Sequence, residues 1–143
     1  MGDRCWLSIR TRAEDAERFS QAFGWGEKFE DWLQDFEQNG KTVSGFLDEV
    51  NYGAQAQLEQ AAQAGAVFSG EHGEGGSYGA ARFAGIGGEY HEYEVGHDGD
   101  PCVELNPKTL TVTAAFKKRL RAAMDAERKA DKALDALEDK HEE

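Results

Sequence analysis

The chain is short of cysteine, proline, histidine and positive charge. Its 143 residues include 2 Cys, 2 Pro, 4 His and 16 Lys or Arg, against 28 Asp or Glu. Each shortage excludes something. Cys5 and Cys102 are too few for a disulfide framework and lack zinc-site spacing, so both read as buried thiols of a reducing cytoplasm. With 17 glycines, 39% hydrophobic and 10% aromatic residues, the chain has the apolar mass for one core and not the composition of a polar disordered tail. No run approaches the roughly 20 apolar residues of a membrane span. The opening MGDRCWLSIRTR lacks the basic and then apolar regions of an export signal, so a cytoplasmic, membrane-free protein is expected. A formal charge of −12 excludes a net basic surface for gripping nucleic acid directly.

What is present is periodic. Residues 4–10 alternate, with Cys5, Leu7 and Ile9 on one face and Trp6, Ser8 and Arg10 on the other, which predicts a strand. Thr11 and Glu14 have capping-box spacing ahead of a helix over 12–23. Phe29, Trp32, Leu33 and Phe36 form one stripe of a short second helix, stopped by Asn39-Gly40. Residues 42–51 read as a strand with a bulge at Gly45, 54–64 as a helix and 66–70 as a strand. The glycine-rich 71–79 is a loop, and 81–86, 89–95 and 102–106 are further strands. A long helix over about 111–137 follows. The expected architecture is one α+β domain, with a mainly antiparallel sheet of five or six strands, helices on one side and a long C-terminal helix. Residues 1–110 form the core and 111–143 the helix, whose Leu134 and Leu137 offer a stripe for pairing with a second copy.

The charge is not spread evenly. Between 27 and 104 three cations, Lys28, Lys41 and Arg82, face sixteen acids, a net of −13; from 114 onward eight bases balance eight acids. A dense carboxylate surface keeps a protein soluble, and it also presents the field that a cationic nucleic-acid groove meets from phosphates. Carboxylates at i, i+2 on a strand lie about 6–7 Å apart, near the phosphate spacing along one strand of a duplex. Glu92 and Glu94 have that relation, Asp98 and Asp100 continue the line, and Glu71, Glu74 and Glu89 lie nearby in sequence. Trp25 and Tyr78, each flanked by glycine, are the expected aromatic anchors at the surface.

Other motifs point elsewhere. Gly40-Lys41-Thr42 resembles the end of a phosphate-binding loop, but position 35 is Asp35, where such a loop needs glycine. His72, His91 and His97 with neighbouring acids hold the atoms of a metal site without its spacing. They define the alternative of a small-ligand- or metal-binding enzyme centred on the glycine-rich loop. No serine or cysteine has a nucleophile's sequence context, so no catalytic residue, metal ligand or cofactor is assigned.

The middle of the chain, NYGAQAQLEQAAQAGAVFSGEHGEGGSYGAARFAG, together with the small size and acidic charge, resembles the small accessory proteins of bacteriophages, among them the anti-CRISPR type. The resemblance spans about residues 43–105 and carries no catalytic residues across. It implies a stoichiometric, non-enzymatic inhibitor in the host cytoplasm, acting on a CRISPR effector complex or another basic nucleic-acid-binding protein by DNA mimicry. An adaptor that assembles through its C-terminal helix is the third reading.

Overall fold

Alternation in the first strand sets up the whole molecule. In a computed structural model, which describes residues 4–24 and 28–138, β1 (Arg4–Arg12) buries Cys5, Leu7, Ile9 and Thr11 on one face. Across its other face run Trp6, Ser8, Arg10 and Arg12. β1 is central in a six-stranded antiparallel sheet, pairing with β3 (Thr42–Asn51) on one side and β4 (Phe68–His72) on the other. β2 (Gln34–Asn39) lies outside β3; β5 (Ala81–Ile86) and β6 (Glu89–Glu94) continue beyond β4, giving the order β2-β3-β1-β4-β5-β6. Two tight turns, at Gly40-Lys41 and Gly87-Gly88, make hairpins of β2–β3 and β5–β6.

α1 (Ala16–Phe23), the single-turn α2 (Phe29–Trp32) and α3 (Gln55–Gln63) cover one face. They meet the sheet through Phe19, Phe29, Leu58, Leu7, Phe68 and Phe83, all fully buried. Phe19 stacks on Phe29 at 4.8 Å and meets Phe68 edge-on at 5.2 Å. Burial of each such side chain is worth about 2–3 kcal/mol, so this cluster is the main core. The long helix α4 (Ala114–Asp135) does not join the others on that side. It lies across the opposite face, over β1, β4, β5 and β6. The expected α+β class with its antiparallel sheet and long terminal helix is thus present, with helices on both faces.

Several local expectations change. The apolar stripe at 29–36 forms a helix only at Phe29–Trp32; Leu33 is already extended (φ −76°, ψ 129°), and Phe36 sits in β2. Asn39-Gly40 thereby becomes a hairpin turn instead of a helix stop. The phosphate-loop lookalike is this same turn, with the Thr42 hydroxyl donating to Asn39 O at 2.9 Å. Gly45 marks no bulge in β3: a Cβ there would lie 2.8 Å from Gln34 O and from Leu33 Cβ, so glycine permits close approach of the α2–β2 joint, and the irregularity falls in β2 itself.

Thr11 caps no helix, because it belongs to β1 and donates its hydroxyl to Val67 O at 2.8 Å. Residues 102–106 are not a strand; only the isolated bridges Val95–Pro101 and Leu105–Val112 form there, and the prolines at 101 and 107 have no amide to give to a ladder. In α4 the buried positions are Ala123, Ala126, Ala130 and Leu134, so the second half of the helix packs more deeply than the first. Leu134 is used inside its own chain and is not free to pair with a partner helix. Thr113 caps the helix start, accepting from the Phe116 amide at 3.1 Å.

Candidate functional site

The chain's acids include two contrasting kinds. The first kind is neutralised inside the fold. Asp15, fully buried ahead of α1, accepts from Arg12 Nε (2.6 Å), Arg12 Nη2 (3.0 Å), Arg18 Nη1 (2.5 Å) and the Val67 amide (2.9 Å). Its hydrogen bonds raise the Arg12 pKa against the opposing effect of burial. Arg10 reaches from β1 to three carboxylates at the C-terminal end of α4: Asp135 at 2.7 Å, Glu138 at 2.5 Å and Asp131 at 3.2 Å. Burial alone would weaken that guanidinium, and its hydrogen bonds to Asp135, Glu138 and Asp131 overcome this and raise its pKa. Glu127, the residue that interrupts the apolar stripe of α4, accepts from Arg82 Nε (2.9 Å) and the Tyr93 hydroxyl (2.7 Å). Burial and that bond push the Tyr93 phenol up to about 12.

The second kind is exposed, and one group of it lies along β6 and the turn after it. Glu89, Glu92, Glu94, Asp98 and Asp100 are all exposed. Glu92 accepts from the Tyr90 hydroxyl at 2.9 Å, Glu89 faces His91 Nε2 at 3.2 Å, and Asp98 closes its turn by accepting from the Asp100 amide at 3.0 Å. Among the described residues no Lys or Arg forms a salt bridge with Glu92, Glu94, Asp98 or Asp100. Burial, followed by the nearby Glu92 charge, raises the Tyr90 pKa.

These carboxylates do not share one sheet face. Glu92 and Glu94 are registered with Phe83 and Ala81, on the α1–α3 side; Glu89 is opposite Ile86 and Glu71 opposite Arg82, on the α4 side. Glu89, Glu92 and Glu94 wrap the β6 edge, Glu71 lies inside the sheet on β4, and Glu74 stands exposed in the glycine-rich loop.

The aromatic anchors are redistributed. Trp25 lies outside the described residues. Tyr78 is half-buried, 5.8 Å from the Tyr52 ring and 5.7 Å from His72. Among the described residues the large aromatics that reach solvent are Tyr52 (56% exposed), Trp6 (46%) and Phe36 (40%). Tyr52 owes its place to a turn in which Tyr52, Gly53 and Ala54 all have left-handed φ (52°, 64° and 54°). A Cβ on Gly53 would overlap the His72 ring, so only glycine fits the middle of that turn.

The three histidines do not converge. His72 is buried on the α1–α3 side, its Nδ1 2.8 Å from Gly73 O; His91 is on the α4 side, registered with Ala84; His97 is exposed in the turn after β6. No group of three or more His, Cys, Asp or Glu among the described residues is placed to hold a metal ion. Both cysteines are unbridged, Cys5 buried and Cys102 half-buried. In the glycine-rich loop the Gly73 and Gly75 amides are spent on Trp6 O and Tyr78 O, each at 3.0 Å.

A polar cleft of about 560 Å³ opens between α4 and the sheet, lined by Ser8, Arg10, Ser69, Glu71, Arg82 and Asp131 among others. Within it Asp131 Oδ1 accepts from both Ser69 Oγ (2.5 Å) and Arg10 Nη2 (3.2 Å), and no histidine or cysteine is among its lining residues. No protein-family model, curated protein or solved structure matches the chain. No helix among the described residues is long and apolar enough to cross a membrane.

Proposed function

We propose that this chain is a non-catalytic binding protein. Its acidic edge occupies the cationic surface of a nucleic-acid-binding protein or nucleoprotein complex, in the manner of a phage-encoded inhibitor of a CRISPR effector. One observation carries the reading: Asp15, Glu127, Asp131 and Asp135 are paired with the chain's own arginines, whereas Glu92, Glu94, Asp98 and Asp100 face water with no lysine or arginine salt bridge among the described residues. Unpaired surface charge steers association with an oppositely charged groove and fixes register on it. Glu92 and Glu94, two residues apart on one strand face, have the spacing of successive phosphates to within about 1 Å. Such an edge also resists pairing with a stray strand, which suits a surface reserved for side-chain contacts.

The test is capture from a host lysate with the full chain at low and high salt. Recovery of nucleic-acid-binding proteins at low salt, lost at high salt and lost in a Glu92→Lys/Glu94→Lys variant, is the expected result. Capture that is indifferent to both changes, or that recovers no such protein, overturns the reading.

A further inference from the structure

Most acids of α4 and the turn after it point to the sheet, and the cations point away from it. Glu127 is held by Arg82, and Asp131 and Glu138 by Arg10, so these three carboxylates are met by arginines of the sheet. At 3.6 residues per turn, Lys117, Arg121, Arg128 and Lys132 fall in one row on the side away from the buried Ala123, Ala126, Ala130 and Leu134, and Lys118 and Lys129 flank the row. All of these cations are exposed. Two acids share their side: Asp125, paired with Arg128, and Asp135, at the far end and bound to Arg10. Among the described residues Lys117, Lys118, Arg121, Lys129 and Lys132 form no salt bridge. A segment whose charges balance in sequence therefore presents a cationic outer face.

We propose that this face of α4 binds the phosphate backbone of a nucleic acid without reading its bases. Three features converge on that occupant. The row from Lys117 to Lys132 is about 22 Å long at about 1.5 Å per residue, enough for about three or four phosphates, and the pairs Lys117–Arg121 and Arg128–Lys132 repeat at about 6 Å, close to the phosphate spacing of one strand. From 105 to 124 the chain has no Asp or Glu, so Lys117, Lys118 and Arg121 stand close behind the positive end of the helix dipole, where folding alone favours acids. The third feature is what the face does without. The apolar side that an amphipathic helix would sink into lipid, Ala123, Ala126, Ala130 and Leu134, is spent on the sheet. The row holds no aromatic anchor for a protein interface, and isolated exposed pairs between its lysines and another protein's carboxylates contribute little. Polyanion binding needs neither, because it is driven by release of the counterions condensed on the phosphates.

The site is separate from the acidic edge and does not depend on it. A charge of −12 argues against a nucleic-acid surface over the molecule as a whole, yet at about 0.1 M salt the Debye length is about 10 Å, so carboxylates farther than that from the row are screened from it. A nucleoprotein target would be met at two places, its protein by β6 and its nucleic acid by α4.

The probe is a short fluorescein-labelled oligothymidylate, titrated with the full chain and followed by fluorescence polarisation. Saturable binding is expected, with the logarithm of the affinity falling against that of salt concentration at a slope of about −2 to −3, as for about three or four phosphates on a single strand. Lys117→Gln/Arg121→Gln and Lys129→Gln/Lys132→Gln preserve helix propensity at exposed positions, and each weakens binding by about tenfold with a shallower slope. Arg4→Gln/Lys28→Gln removes the same charge from other elements and leaves binding within about twofold of the parent chain.

No saturation, or equal weakening by Arg4→Gln/Lys28→Gln, overturns the proposal. Tighter binding to phosphatidylserine vesicles than to the oligonucleotide overturns it in favour of a lipid surface. A solution mass above the monomer's that the α4 variants abolish overturns it in favour of a second copy. The two readings fail separately: oligonucleotide binding without salt-sensitive lysate capture leaves the α4 face standing alone, and capture without oligonucleotide binding leaves only the β6 edge.

Discussion

Asp15 and Glu92 are both carboxylates of one acidic chain, yet they sit at opposite extremes. Asp15 has no exposure and four donors, two arginines and a backbone amide among their sources. Glu92 stands in solvent with a tyrosine hydroxyl as its hydrogen-bond donor. The difference teaches that net charge alone says little about where a protein's acids act. A buried carboxylate is retained only when its desolvation is offset by paired donors, and then it organises structure. An exposed one with no counter-ion adds almost nothing to folding and leaves its field available to another molecule.

The sharpest way to break this contrast is at Asp15. Asp15→Ala takes from Arg12 and Arg18 their shared buried partner, leaving Arg12 only Glu14 and the Gly65 carbonyl, orphans the Val67 amide and uncouples β1 from the start of α1, and is expected to cost about 3–5 kcal/mol. Chemical denaturation measures it; a loss below about 1 kcal/mol would mean that the arginines hold nothing together.

A smaller effect is expected at Tyr93. Its folded pKa, about 12, lies above the ordinary phenol value near 10 because of burial and Glu127, so the fold favours the neutral form. The stability this brings is complete below pH 10 and declines as the pH rises toward 12, where the unfolded chain ionises first. Tyr93→Phe should flatten part of that alkaline decline, Tyr90 retaining the rest, while costing about 1 kcal/mol at neutral pH for the donor lost to Glu127. An unchanged alkaline slope would place the titration elsewhere.

How much of this could be read in the sequence follows the same divide between local and distant pairing. β1 and β6 announce themselves because alternation is a local pattern tied to one buried face, and β3 and β5 through strand-forming residues and the glycine turns beside them. β2 does not, because a strand exposed on both faces has no alternation to display, and Phe36 happens to extend the helical stripe of Phe29 and Trp32. The crowding of acids between 27 and 104 was legible; which acids remain unpaired was not. Arg10 finds Asp131, Asp135 and Glu138 across more than a hundred residues of chain. Tyr78, in a glycine-rich loop, is expected at the surface, and it is shielded by Tyr52 from a left-handed turn that nothing but Gly53 hints at.

The smallest expected effect decides whether the β6 edge belongs on the functional side of the contrast. Glu92→Lys/Glu94→Lys changes two exposed side chains that make no salt bridge among the described residues and face Phe83 and Ala81, not like charges, across the ladder. The loss is one exposed hydrogen bond from Tyr90, and the gain is relief of repulsion within a strongly acidic surface. These oppose each other, so the stability measured by thermal melts should shift by no more than about 0.5 kcal/mol, with the repulsion component fading as salt is added. A destabilisation above about 2 kcal/mol would show the two glutamates to be structural, like Asp15, and would remove the argument that their charge is held in reserve for a partner.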